Sequence, residues 1–191
     1  VSNPDHPQLR LVVAITGASG VIYGIRMLEV LKRLKVETHL IMSEWGAKNI
    51  KIETDRTSDY VRSLATRNYE DDNMAASVSS GSFKTDGMAV VPCSMKTLAG
   101  IANAFDDSLV SRAAGVCIKE QRKLVLVPRE APLSRIHLDN MSKLAGAGAV
   151  ILPAMPGFYH RPKTMDELID HVVGKVLDQF NIDHSLFKRW G

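Results

Sequence analysis

Four short stretches of this chain hold residue types that could act on a small anionic ligand. Gly17-Ala18-Ser19-Gly20 gives a backbone that a ligand can approach closely, and a helix starting after it would add N-terminal amides for a phosphate. With Gly24, these glycines match neither GxGxxG nor the TGxxxGxG of short-chain dehydrogenases, which would need glycine at Val21 and Tyr23. A tight strand-to-helix turn without a ligand is the alternative. Pro92-Cys93-Ser94-Met95-Lys96-Thr97 sets two hydroxyls and an ammonium at a helix start, where they would converge on an anion. Ser94 as a plain N-cap is the simpler reading. Val127-Pro128-Arg129-Glu130 puts a cation beside a carboxylate. Arg129 could grip a phosphate with its guanidinium fork, and Glu130 could move protons if partly desolvated; a structural ion pair fits equally well. Tyr159-His160-Arg161-Pro162-Lys163 spells YxxxK, but Pro162 denies it the helix that such a dyad requires.

Charge is distributed to the same end. The net charge is +3, too small to argue for nucleic acid. Between Arg112 and Arg135, however, lie Lys119, Arg122, Lys123 and Arg129, against only Glu120 and Glu130. Such a surface suits small anions such as phosphates, although a solvated helix face would read the same. The hydroxyl-rich run from Ser77 through Ser80, Gly81 and Ser82 is either a loop or a ligand cradle. Glu70-Asp71-Asp72 and Asp106-Asp107 do not extend to DDxxD, so the sequence shows no magnesium-diphosphate pattern. No GxxxxGK[ST] phosphate loop occurs either. Lys175 and Trp190 carry weak local signals.

These residues must be positioned by something. Leu11-Val12-Val13-Ala14-Ile15 is the continuous apolar run of a strand buried on both faces. A helix over 20–34 follows, with Ile22, Ile25, Leu28, Leu31 and Leu34 on one face. Residues 36–42 read as a second strand ending at Ser43. Helices are predicted at 44–52 and 57–65, a third strand at 88–91 closed by Pro92, and helices at 94–102 and 109–120. A fourth strand at 123–127, a helix at 136–144, a fifth strand at 149–152 and a Pro-rich loop complete the pattern. The last helix opens on the capping box Thr164-Met165-Asp166-Glu167 and runs to Phe180. Alternation of this kind predicts a Rossmann-like three-layer α/β sandwich with a mostly parallel sheet. Its ligands sit beyond the carboxyl ends of the strands, where the four stretches fall.

The 191 residues, 45% hydrophobic and 24% charged, suit one domain and exclude a disordered chain. Residues 1–9 are expected to be flexible and 181–191 to form a tail over the site. No apolar run is long enough to span a bilayer. Cys93 and Cys117 form no CxxC or Cys/His cluster, which points to a reducing compartment: the cytoplasm, or the mitochondrial matrix if a transit peptide has been removed.

Seven segments then occur in a telling order: TGASGVIYG, ETHLIMS ending at Ser43, SSGSF, PCSMKT, SRAAGVCIKEQRKLVLVPRE, PGFYHRP and VLDQF. Together, over residues 11–190, the chain resembles the flavin prenyltransferases of the UbiX type, formerly described as phenylacrylic acid decarboxylases. The resemblance implies a flavodoxin-like fold and FMN sites completed by neighbouring subunits of a homododecamer. It implies transfer of the dimethylallyl group of dimethylallyl phosphate to N5 of reduced FMN, then ring closure at C6. The product would be prenylated FMN for UbiD-type decarboxylases. By motif match Gly17, Ala18, Ser19, Ser43, Ser94, Met95, Lys96, Thr97 and Arg129 would bind FMN. Arg112, Lys119, Arg129, Tyr159 and Lys175 would surround the prenyl phosphate, with Ser80 and Gly81 beside it. Glu130 and Ser19 would manage proton transfers, and Trp190 would cover the isoprenoid. No metal, membrane or nucleic acid is implied. With no metal-ligand pattern in the sequence, stabilising the departing phosphate would fall to fixed cations and hydroxyls. The competing expectations are an FMN-dependent cysteine decarboxylase, which would need a catalytic histidine early in the chain, where His39 sits within a strand and lacks such a motif, and a non-catalytic flavin carrier.

Overall fold

Six short strands, all parallel, form one sheet in the computed structural model, which describes residues 9–190. They are β1 (Arg10–Ile15), β2 (Glu37–Met42), β3 (Arg67–Glu70), β4 (Gly87–Cys93), β5 (Lys123–Pro128) and β6 (Val150–Ile151). Their spatial order is β3-β2-β1-β4-β5-β6. The order reverses between β1 and β4, which opens a crevice beyond the carboxyl ends of those two strands. The helices are α1 (Val21–Arg33), α2 (Glu44–Glu53), α3 (Ser58–Leu64), α4 (Met95–Ala102), α5 (Leu109–Lys119), α6 (Arg135–Gly146) and α7 (Met165–Gln179).

Strand residues alternate between the two faces of the sheet, and both faces are buried. Leu11, Val13, Ile15, Val91, Val125 and Val127 join a core with α1 and α7 residues such as Leu28, Val173 and Val176. Val12, Ala14, Val90, Leu124 and Leu126 join a second core with Leu98, Val110, Ala114 and Leu144 from α4, α5 and α6. The arrangement is the three-layer, flavodoxin-like α/β fold expected. α1 approaches β4 so closely that a Cβ on Gly24 would strike the Val91 carbonyl oxygen and lie 2.8 Å from Ile15 Cγ1.

Four details depart from the expected elements. β3 is a sixth strand that the sequence reading lacks. Its residues Arg67, Asn68, Tyr69 and Glu70 pair only with β2, at the sheet edge, and are mostly exposed, so no apolar run marks it. β4 runs through Pro92 to Cys93 instead of closing before it. The missing Pro92 amide falls in the register irregularity between Val90 and Cys93, where no ladder bond is lost. Leu34, assigned to the α1 stripe, is 42% exposed because the helix ends at Arg33. β6 covers two residues rather than four. Of the N-terminal segment, residues 1–8 lie outside the described residues. Leu9 packs against the first core, and its carbonyl accepts from Glu37 N at 3.0 Å.

Candidate active site

Three helices begin at the crevice, and each is capped by a serine. Ser43 Oγ accepts from Gly46 N at 3.1 Å at the start of α2. Ser94 Oγ accepts from Thr97 N at 3.2 Å at the start of α4. Ser108 Oγ accepts from Ser111 N at 3.3 Å at the start of α5. All three caps line one cleft of about 360 Å³, together with Gly17, Trp45, Lys96 and Thr97. The strand ends hold them there: Ser43 N donates to Ile15 O at 3.1 Å, and Ser94 N donates to Thr16 Oγ1 at 2.9 Å. Thr16 Oγ1 in turn donates to Pro92 O at 2.8 Å. Three helix N-termini meeting at one space offer amide donors and partial positive charge to an anion without a buried cation.

The carboxylates in this cleft are already engaged. Glu44 pairs with Lys48 at 2.5 Å, and Asp107 lies 3.9 Å from Lys96. Asp71 caps α5 by accepting from Val110 N at 2.9 Å. Neither α4 nor α5 has an acidic residue in its first turn. A wider groove of about 650 Å³ shares Ser43 and Ser108 and is lined by Glu44, Glu70, Asp71, Asp72 and Asp107 with Lys48, Lys51 and Arg62. The donor set of the serine-capped cleft fits a phosphate monoester such as the FMN phosphate: hydroxyls of Ser43, Ser94 and Thr97, the Lys96 ammonium, and helix amides. Gly17 lets the turn after β1 pack against α2, since a Cβ there would stand 2.5 Å from Trp45 Cβ.

The turn after β1 behaves differently from the expectation of a phosphate on α1. The α1 amides of Gly20 and Val21 donate to Glu53 Oε2 at 2.8 and 3.2 Å, so a carboxylate of the chain itself occupies that helix start. Glu53 reaches it from the last residue of α2, a long-range contact that no local motif announces. Ala18 is buried, with its carbonyl held by Asn49 Nδ2 at 3.3 Å, and Ser19 is exposed. Met95 packs against the second core. Cys93, inside the same motif, is fully buried, and burial pushes its thiol far up, so it is no nucleophile.

The remaining expected residues fall into two other groups. α5 starts at the cleft and ends beside Lys123, the first residue of β5, so Lys119 sits about 16 Å along the helix, at the amino edge of the sheet. There it pairs with Glu120, and Gly81 lies against that pair, its carbonyl accepting from Arg122 Nη2 at 2.5 Å. Ser80 Oγ bonds Ser82 Oγ at 2.8 Å. Arg112, two turns nearer the cleft, donates to Ser79 O at 3.1 Å and to Asp106 at 3.2 Å.

The rest either follow β5 or lie in the loop after β6, on α7 and in the C-terminal tail. Ala154 N donates to Pro128 O at 3.2 Å, which ties the two strand ends together. Arg129 and Glu130 are both exposed and form no ion pair with each other among the described residues; Glu130 Oε1 accepts from Ala131 N at 3.2 Å. The desolvation that an acid/base role asks of Glu130 is therefore not supplied by this chain alone. Tyr159 meets Trp190 edge-to-face at 5.5 Å, although Trp190 is 82% exposed. Lys175 lies 3.6 Å from Asp178, whose carboxylate also holds Arg189 at 2.7 Å and His184 at 3.1 Å. Burial alone would raise the Asp178 carboxyl, but Arg189, His184 and Lys175 outweigh it and hold it below the ordinary range. This network folds residues 181–190 back over α7. No hydrogen bond or ion pair among the described residues joins an expected residue of one group to an expected residue of another. His39 is buried in β2, bonded to Glu37 Oε1 and Tyr69 OH at 2.9 Å each, a structural histidine remote from the crevice.

A parallel sheet whose carboxyl edge gathers capped helix starts around a cleft of hydroxyl and amide donors defines an α/β protein of the nucleotide- and flavin-binding class. The model of the Flavoprotein family matches residues 2–181. Flavin prenyltransferase PAD1, mitochondrial, from Saccharomyces cerevisiae is 54% identical over 189 residues, covering 99% of this chain and 78% of that protein. The structure of AnUbiX (PadA1) in complex with FMN and dimethylallyl pyrophosphate matches with a TM-score of 0.95 at 54% identity, over 97% of this chain and 98% of that one. A dodecameric FMN-dependent UbiX-like decarboxylase from Escherichia coli O157:H7 matches with a TM-score of 0.94 at 50% identity, over 96% and 100% of the two chains. The chain belongs to the Flavoprotein family, among the UbiX-like flavin prenyltransferases.

Proposed function

We propose that this chain is a flavin prenyltransferase that transfers the dimethylallyl group of dimethylallyl phosphate to reduced FMN. Reduced FMN supplies the N5 and C6 positions that receive the group. The observation that carries this reading is the phosphate cradle on three helix starts; Arg129 and Glu130 follow β5, while Tyr159 meets His171 of α7 and Lys175 lies further along that helix. The cradle holds the FMN phosphate through Ser43, Ser94, Lys96 and Thr97, with Gly17, Ala18, Ser19 and Met95 along the same edge. Arg129, Tyr159 and Lys175 receive the prenyl phosphate.

Arg129 and Lys175 stabilise the charge that develops as the phosphate departs, and the Tyr159 hydroxyl donates to it. Each charge-assisted bond of this kind is worth about 1.5–3 kcal/mol. Trp190 and Tyr159 present aromatic faces to the allylic cation and exclude water. Glu130, with Ser19, takes and returns the protons that ring closure requires, once ligand and neighbouring subunits remove it from solvent. Lys119 and Gly81 lie at the far end of α5 with Ser80 nearby, and Arg112 lies one turn into the helix. Their placement is understandable if one copy's α5 face completes another copy's phosphate site, in an assembly like the dodecameric relative. The product, prenylated FMN, would pass to a UbiD-type decarboxylase. The compartment we assign is the cytoplasm, or the mitochondrial matrix where a leader is removed; no helix among the described residues is long and apolar enough to cross a membrane.

The test is anaerobic incubation of purified protein with reduced FMN and dimethylallyl phosphate, followed by mass analysis of the flavin. Gain of one isoprenoid unit supports transfer. Bound but unmodified FMN would make the chain a carrier and overturn the reading.

A further inference from the structure

Tyr159 is placed to donate only if its own proton is free, and the residue that decides this lies on α7. His171 is 6% exposed, inside the apolar stripe of that helix. Its Nδ1 lies 3.2 Å from Gly157 N, and its Nε2 lies 3.3 Å from the Tyr159 hydroxyl. A backbone amide can only donate, so Nδ1 must be the acceptor. A neutral imidazole carries one proton, and with Nδ1 accepting, that proton is on Nε2. We propose that His171 is the positioning residue for Tyr159: held as the Nε2–H tautomer by the Gly157 amide, it donates to the phenol oxygen and leaves the Tyr159 proton directed to the substrate phosphate. This rests on the reading of Tyr159 as a phosphate donor.

The surroundings keep the ring neutral. His160 stacks on it from the Pro-rich loop at 5.0 Å and 3°, with both of its own ring nitrogens buried and unpartnered. Phe187 of the C-terminal tail packs at 4.7 Å. Burial first, then His160 and Lys175, push the His171 pKa down, while Asp178 opposes them. A protonated ring would also turn an N–H on the Gly157 amide and lose that bond. The ring thus acts as a fixed donor rather than a proton carrier.

Four variants and one spectrum decide it. His171→Phe keeps the bulk and removes both bonds. It should raise KM for dimethylallyl phosphate about ten-fold, the size of one lost hydrogen bond, with kcat changed less and FMN affinity unchanged. His171→Gln retains an N–H donor near Nε2 and should recover most of the loss. Added to Tyr159→Phe, His171→Phe should change KM by less than about two-fold further, because its route is already gone. Nitrogen NMR of the ligand-free wild type should show Nε2 protonated and Nδ1 bare. Independent, additive effects of the two single variants, or a protonated Nδ1, overturn the proposal. If His171→Phe fails to fold, the glutamine variant and the spectrum still decide. A wild type that transfers no prenyl group would refute the functional reading instead, while the spectrum still reports on the histidine.

Discussion

Ser94 has two roles that substitution can separate. It caps α4, and it lines the cleft to which the FMN phosphate is assigned. Ser94→Ala removes the cap, which costs about 1 kcal/mol and should lower the thermal midpoint of the ligand-free protein by about 2–4 °C. Aspartate caps as well as serine does, so the ligand-free stability of Ser94→Asp should stay within about 0.5 kcal/mol of wild type. Ligand binding should rank the two variants the other way. Alanine loses one hydrogen bond to a charged group, about 1.5–3 kcal/mol, and weakens FMN roughly ten- to a hundred-fold. Aspartate brings a negative charge against the phosphate, and unit charges about 4 Å apart at a protein surface repel by about 4 kcal/mol. FMN affinity should then fall about a thousand-fold or more. Fluorescence titration with FMN and calorimetry without it read the two effects separately. If the Ser94→Asp variant binds FMN within about ten-fold of wild type, the phosphate does not lie at the start of α4.

Lys175→Ala should weaken dimethylallyl phosphate by about 1.5–3 kcal/mol, ten-fold or more, and leave FMN within two-fold; separate titrations check this, and equal losses sink the assignment. Glu130→Gln should leave FMN binding intact and slow formation of the prenylated flavin by about a hundred-fold or more in single turnover; unchanged turnover removes its proton-transfer role. Glu53→Gln removes the charge that α1 amides hold and should destabilise the ligand-free chain by about 0.3–1 kcal/mol, more at low salt than at high; an unchanged thermal midpoint at low salt counts against the cap. Burial pushes the Cys117 thiol up to about 12 and Cys93 higher still. Both are therefore neutral at pH 8, and a thiol reagent should find none in the native protein and two after denaturation.

Much of this fold is legible in the sequence, because a strand buried on both faces must be apolar throughout. β1, β4 and β5 announce themselves that way. β3 does not: at the edge of the sheet, Arg67 and Glu70 face solvent and the hydrogen-bond ladder alone makes the strand. The cleft shows a similar divide. Serine before a helix is visible locally, so Ser43 and Ser94 could be picked out. Ser108 caps α5 just as well, yet nothing in its neighbourhood says that its helix points at the other two. Glu53 and His171 act across 33 and 12 residues of chain respectively, to Gly20 and Tyr159, and only the folded backbone brings those partners together. His171 is further disguised by the valines around it, which make the segment look like plain core.

Gly24 has a practical consequence for anyone seeking a hardier variant. Tables of helix propensity mark a glycine in mid-helix as an easy gain of about 1 kcal/mol on exchange for alanine. At this position the added methyl has nowhere to go except into the Val91 carbonyl and the Ile15 side chain. The helix would have to lift from the sheet, dragging with it the loop that carries Gly17 and Ser19. A mutation chosen for toughness would thus be felt first as damage to the edge that carries the candidate site.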